Sequence, residues 1–165
     1  MALKRPITPE AARIRMADLC ARSEQCEHDI RQKLHKTGLS ADTISDTINY
    51  LTENKFIDNK RFAQSYARDK CRFSSWGPYK IRLALSGKRI SGSDITQALN
   101  GLEAEEIMEA ARKVAKVKER SLNLHGETAK DDRMKLYRHI ISRGFSPDMA
   151  KTVTKEFISA TKPNE

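Results

Sequence analysis

Between Lys60 and Arg89 the chain sets nine basic residues (Lys60, Arg61, Arg68, Lys70, Arg72, Lys80, Arg82, Lys88 and Arg89) against a single acid, Asp69. Guanidinium and ammonium groups at this density are suited to holding phosphate or carboxylate: arginine as a two-pronged fork, lysine as a point charge. An anionic partner is implied. On a helix, Arg61, Arg68 and Arg72 (i, i+7, i+11) fall on one stripe, while Phe62, Tyr66 and Phe73 are expected to face the core from another. Lys80 and Arg82 project from the next helix, Lys88 and Arg89 sit at its end, and Lys70 extends the patch.

Each of these residues also has a plainer reading. A basic face can serve only solubility, Lys88 and Arg89 can complement a helix dipole, and Arg61 can pair with Asp58 in its own first turn. Trp76, the only tryptophan, could stack on an exposed base, but an aromatic beside a helix start is more often a packing anchor.

Catalytic chemistry finds no foothold. The chain contains no GxxxxGK[ST], GxGxxG, HExxH or GxSxG sequence, so neither a phosphate-cradling loop nor an activated nucleophile is expected, and no cofactor. Cys20, Cys26, His28 and His35 do not match a zinc spacing. With Cys71, the three cysteines are odd in number, and reduced thiols are expected.

The elements that must position the cations can be read from a repeat. Gly38-Leu39-Ser40-Ala41-Asp42-Thr43-Ile44 overlays Arg89-Ile90-Ser91-Gly92-Ser93-Asp94-Ile95 and then Gly144-Phe145-Ser146-Pro147-Asp148-Met149-Ala150, at spacings of 51 and 55 residues. Each copy is a turn, a serine able to cap a new helix, and an apolar stripe: Ile44, Ile48, Leu51; Ile95, Leu99, Leu102; Ala150, Val153, Phe157. Upstream of each turn comes an i, i+4 pair, Ile30 with Leu34, Ile81 with Leu85, and Leu136 with Ile140. Before these lie opening helices marked by Met16 and Leu19, by Phe62, Tyr66 and Phe73, and by Ile107, Val114 and Val117. Pro78 and Pro147 suit helix starts.

The spacing thus predicts an all-α protein of three tandem three-helix repeats in an elongated array, straight or curved. The repeats span 8–56, 57–102 and 103–160, with flexible tails at 1–7 and 161–165. Units of this size hold little core alone, so neighbours should lean on one another. The net charge of +9 is unevenly spread: +1 over residues 1–56, +6 over 57–102 and +2 over 103–165. No run approaches a membrane span and the first ten residues lack the apolar core of a secretory signal, so a cytosolic protein is expected; separately, it is taken to be a monomer.

The segment Phe56-Ile57-Asp58-Asn59-Lys60-Arg61-Phe62-Ala63, continued by Trp76-Gly77-Pro78-Tyr79-Lys80-Ile81 and Ile95-Thr96-Gln97-Ala98-Leu99, resembles the RecX family of recombinase regulators. Ala21-Arg22-Ser23-Glu24-Gln25-Cys26, with Asp29-Ile30 and Lys33-Leu34, is similar to that family's upstream segment. Ser23 departs from it by replacing an arginine, Cys26 a capping serine, Asn59 an acid, and Arg89 a turn glycine. The resemblance implies a non-enzymatic protein that binds the RecA recombinase filament on single-stranded DNA and restrains strand exchange, ATP hydrolysis and co-protease activity. The rival classes are a helix-turn-helix protein reading duplex DNA and an adaptor binding protein alone.

Overall fold

The computed structural model describes residues 7–160, which form nine α-helices and no strand among the described residues. They are α1 (Pro9–Arg22), α2 (Glu27–His35), α3 (Ala41–Glu53), α4 (Asn59–Ser74), α5 (Pro78–Gly87), α6 (Gly92–Asn100), α7 (Ala104–Glu119), α8 (Ala129–Ser142) and α9 (Pro147–Ala160). Of the expected tails, residues 1–6 and 161–165 lie outside the described residues, and Ile7 packs against the core of α1–α3. Among the described residues no helix is long and apolar enough to cross a membrane.

The three overlaid turns share one local mechanism. Gly38, Arg89 and Gly144 all adopt positive φ (79°, 58° and 93°), which reverses the chain after a helix. Two residues on, Ser40, Ser91 and Ser146 accept hydrogen bonds from the backbone N–H groups of Thr43 (3.2 Å), Asp94 (3.1 Å) and Met149 (3.2 Å). Between turn residue and cap, Ile90 and Phe145 are buried and Leu39 is partly so. Each reversal thereby starts a third helix with its apolar stripe already facing inward.

The interior is divided two ways. Met16, Ile30, Leu34, Ile44, Ile48 and Leu51 form one core among α1–α3, whereas α4–α9 enclose a single continuous core that includes Ile81, Leu85, Leu136, Ile140 and Val153. Cys26, at the start of α2, belongs to the second core and so seats the first unit on it. Several expected core residues are placed otherwise, Leu19, Tyr66, Ile107 and Phe157 being only partly buried at the core edges. Phe73 is 82% exposed and Val117 66% exposed, because near the ends of their long helices they line one open cleft beside His139 and Arg143 that nothing covers, and Leu99 is only half-buried while Ala98 takes the fully buried place.

The second and third units meet backbone to backbone. Gly77 N–H donates to the Arg143 carbonyl (2.8 Å) and Tyr79 N–H to the Gly144 carbonyl (3.0 Å), while the Arg143 guanidinium donates to the Ser74 carbonyl (2.7 Å). A Cβ on Gly77 would lie 2.3 Å from the Gly144 carbonyl carbon and oxygen, which only backbone movement could relieve. Gly77→Ala is therefore expected to lose about 1–3 kcal/mol or more of stability. Arg89→Gly, at a left-handed position that an L side chain occupies at a cost, should gain about 1 kcal/mol and raise Tm by ~2–4 °C. Thermal denaturation of the two variants beside the parent chain checks both signs.

Candidate polyanion-docking surface

The basic run is carried by α4 and α5 and the turn after them. Asp58 caps α4 by accepting the Arg61 backbone N–H at 2.9 Å, and Pro78 opens α5 where its missing N–H leaves nothing unsatisfied. Both helices are pinned inward by Phe62, Ala63, Ala67, Cys71, Ile81 and Leu85, which leaves the long basic side chains to solvent.

Three of the nine cations are fastened to carboxylates of neighbouring units. The Arg61 guanidinium donates to Glu24 (2.6 Å), Lys88 to Asp29 (2.6 Å) and Arg72 Nε to Glu106 (2.9 Å). Arg61 thus reaches the loop leading into α2 and not its rival partner Asp58, whose carboxylate takes the backbone N–H. These partners lie 37, 59 and 34 residues away in sequence, so no local spacing signals them. Another long-range partner, Asn59, accepts the Glu27 backbone N–H at 3.0 Å, supplying to α2 the cap that Cys26 does not.

The other six, Lys60, Arg68, Lys70, Lys80, Arg82 and Arg89, have no carboxylate partner among the described residues. Two of them bracket an aromatic ring: Lys70 Nζ stands 5.0 Å and Lys80 Nζ 4.6 Å from the centroid of half-buried Trp76. Lys70 also lies 5.3 Å from the Tyr66 ring, and Lys88 5.8 Å from that of Phe62. Such contacts contribute roughly 0.5–1 kcal/mol each at exposed sites and hold the ammonium groups in place. Trp76 packs against the α4–α9 core, so it anchors the loop between the two helices.

The cations of α4 occupy two flanks. Arg61, Arg68 and Arg72 lie within ~40° of one another round the helix, whereas Lys70 is ~160° from Arg68. The lysines Lys70, Lys80 and Lys88 instead line the ridge of Phe62, Tyr66 and Trp76. Of the arginine stripe, only Arg68 is without a fixed carboxylate. Arg82 is exposed on α5 beside Tyr79 and Leu83, which are 64% and 75% exposed.

Among the described residues no three His, Cys, Asp or Glu side chains gather as a metal site. Burial raises the thiols of Cys20, Cys26 and Cys71, which are free.

The joint between the first and second units carries a pH signature. Burial alone would raise the Asp29 carboxyl, but the hydrogen bond and charge of Lys88 outweigh it and hold Asp29 below the ordinary carboxylate value. A carboxyl depressed in the folded state stabilises above its unfolded pKa of about 3.9, and that contribution fades as pH falls through the folded value. Asp29→Asn should accordingly be less stable than the parent at neutral pH, with the gap closing as pH falls below the ordinary carboxylate value of about 3.9 and through the lower folded one. Urea-unfolding midpoints taken from neutral pH down through that range test this, and a gap that stayed constant would contradict it.

A family model described as the second three-helix domain of RecX matches residues 58–99, the segment that forms α4–α6. The chain is 33% identical over 138 residues to the regulatory protein RecX of Clostridium botulinum (strain Eklund 17B / Type B), covering 84% of this chain and 64% of that protein. It is 31% identical over 137 residues to that of Clostridium tetani, with 83% and 62% covered. A crystal structure of a regulatory protein RecX superposes with a TM-score of 0.78 at 26% identity, over 89% of this chain and 71% of that one. RecX from Lactobacillus salivarius shares the fold at a TM-score of 0.75 and 23% identity, covering 90% of this chain and 95% of that one. The chain spans just under two thirds of the length of these clostridial relatives.

Proposed function

We propose that this chain, a relative of the RecX regulatory proteins that carries their second three-helix domain, binds the RecA recombinase filament on single-stranded DNA and restrains it. Its cationic middle unit docks on the filament, and strand exchange, ATP hydrolysis and co-protease activity fall because the filament is held, without chemistry by the regulator itself. The observation that carries this reading is the set of six cations on α4, α5 and their turn that no carboxylate among the described residues neutralises. They lie in the segment matched by the RecX domain, and the relatives' shared name is that of a regulator.

Within the basic run the roles divide. Arg61, Arg72 and Lys88 fix how the middle unit sits against its neighbours. Lys60, Arg68, Lys70, Lys80, Arg82 and Arg89 supply the charge for phosphate or for acidic side chains of the recombinase. Arg68 and Arg82 are the most informative to change, because both are exposed and neither pairs with a carboxylate among the described residues.

Arg68→Glu/Arg82→Glu should leave the thermal midpoint within what a surface change moves, ~0.5 kcal/mol. The concentration needed to inhibit recombinase ATPase should rise at least about tenfold, corresponding to ~1.4 kcal/mol of lost binding. Inhibition by the unaltered protein should also weaken steeply with salt. An unchanged inhibition curve would reject the assignment. Retained binding to one duplex sequence in excess competitor DNA would favour a direct duplex reader instead.

A further inference from the structure

A cavity of about 610 Å³ lies outside the middle unit, between α1 and α2. Its walls are Arg15, Arg22, Lys33 and Lys36 with one acid, Asp18, and its floor is Met16 and Leu19. It exists because α1 and α2 each rest on α3 while scarcely touching one another. All four basic side chains are exposed, and none has an ion pair among the described residues.

The near-zero charge of residues 1–56 conceals this concentration. Four of the seven lysines and arginines between residues 8 and 56 line this one groove. The other acids of this segment are placed elsewhere: Glu24 on Arg61, Asp29 on Lys88 and Glu27 on Arg31, with Glu10 in the first turn of α1 and Asp42, Asp46 and Glu53 on α3. Two of these acids, Glu24 and Asp29, are engaged in the joints that attach the first unit to the second.

We propose that the α1–α2 groove is a second anion site that takes the phosphodiester backbone of a single-stranded nucleic acid. Arg15 and Arg22 are two helical turns apart, ~10.5 Å at the rise of an α-helix. At the ~3.4 Å spacing of a stacked strand that length faces about three phosphates, and fewer on a more extended single strand. Lys33 on α2 and Lys36 just past its end oppose them, so a regularly charged polymer can be held from both sides. Paired arginine forks match phosphate oxygens. A duplex, whose major groove alone is ~12 Å wide, could touch only the rim of a gap between two helices on a common support. The floor offers no aromatic ring to stack a base, so binding is independent of sequence. This site lies in a different unit from the filament-docking cations, and its occupancy does not depend on a recombinase.

The test uses the full chain carrying Arg68→Glu/Arg82→Glu, which lowers the middle unit's share of binding, with fluorescein-labelled oligothymidylate as probe in anisotropy titrations across a salt series; the change on altering the groove, not the total affinity, reports the site. Adding Arg15→Ala/Lys36→Ala should raise Kd severalfold at low salt and reduce the slope of log Kd against log salt by ~1.4, since each phosphate of a single strand that the protein ceases to neutralise takes away about 0.7. Arg22→Gln/Lys33→Gln, which preserves side-chain bulk, should do the same, and thermal denaturation of both sets confirms folding. Folded variants with unchanged Kd and slope would overturn the site. So would oligoglutamate of equal charge displacing the probe as well as unlabelled oligothymidylate, since the groove would then select acidic peptide no less than phosphate. Because recombinase is absent, failure here leaves the filament reading standing, and loss of ATPase inhibition in the middle-unit variant is separate from occupancy of this groove.

Discussion

Two ion pairs and a buried thiol govern how a chain with two interiors presents its charge. Glu24 to Arg61 and Asp29 to Lys88 cross from the α1–α3 unit to the middle one, while Cys26 inserts into the core of α4–α9. The pairs are partly exposed, with side chains at 26% for both Lys88 and Asp29, and pairs of this kind contribute little to stability, roughly 0–1 kcal/mol. Their consequence is geometric. They fix where a cationic helix pair stands relative to its neighbour, and they occupy acids that would otherwise quench the basic groups around them. Asn59 adds a neutral tie by capping α2 across the same joint.

The opposite joint is built differently. Between the second and third units the contact is main chain on main chain at Gly77 and Gly144, and α4 to α9 share one interior. Small residues allow that approach, as the 2.3 Å clash of an added Cβ makes plain. The joint to the first unit thus rests on two ion pairs, a cap and one buried thiol, and the joint to the third on a shared core and main-chain contact with one ion pair, Arg72 to Glu106. The remaining cations of α4 and α5 are left without a carboxylate partner among the described residues.

Much of this was legible in the amino-acid sequence because it is local. The serine caps at Ser40, Ser91 and Ser146, the turn residues Gly38, Arg89 and Gly144, and the paired stripes Ile30–Leu34, Ile81–Leu85 and Leu136–Ile140 all follow from spacing within a few residues. What spacing misses is what arrives from far along the chain. Phe73 and Val117 have the right period for a core, but burial needs a covering element at that height, and the cleft they share is open to solvent. Arg61 and Arg72 share a stripe with Arg68, yet their carboxylates come from other units. The α1–α2 groove was hidden for the same reason: counting charge by segment averages over faces that the fold separates.

On the proposed reading, the uncompensated cations of α4 and α5 bring this chain onto a recombinase filament. Cosedimentation of the purified protein with recombinase assembled on single-stranded DNA tests that most directly, run beside the Arg68→Glu/Arg82→Glu variant. The unaltered protein is predicted to pellet with the filaments at low salt and to be released as salt rises, while the variant stays largely in the supernatant. Equal pelleting of the two proteins, or an unaltered protein that stays in solution while the filaments sediment, would contradict it.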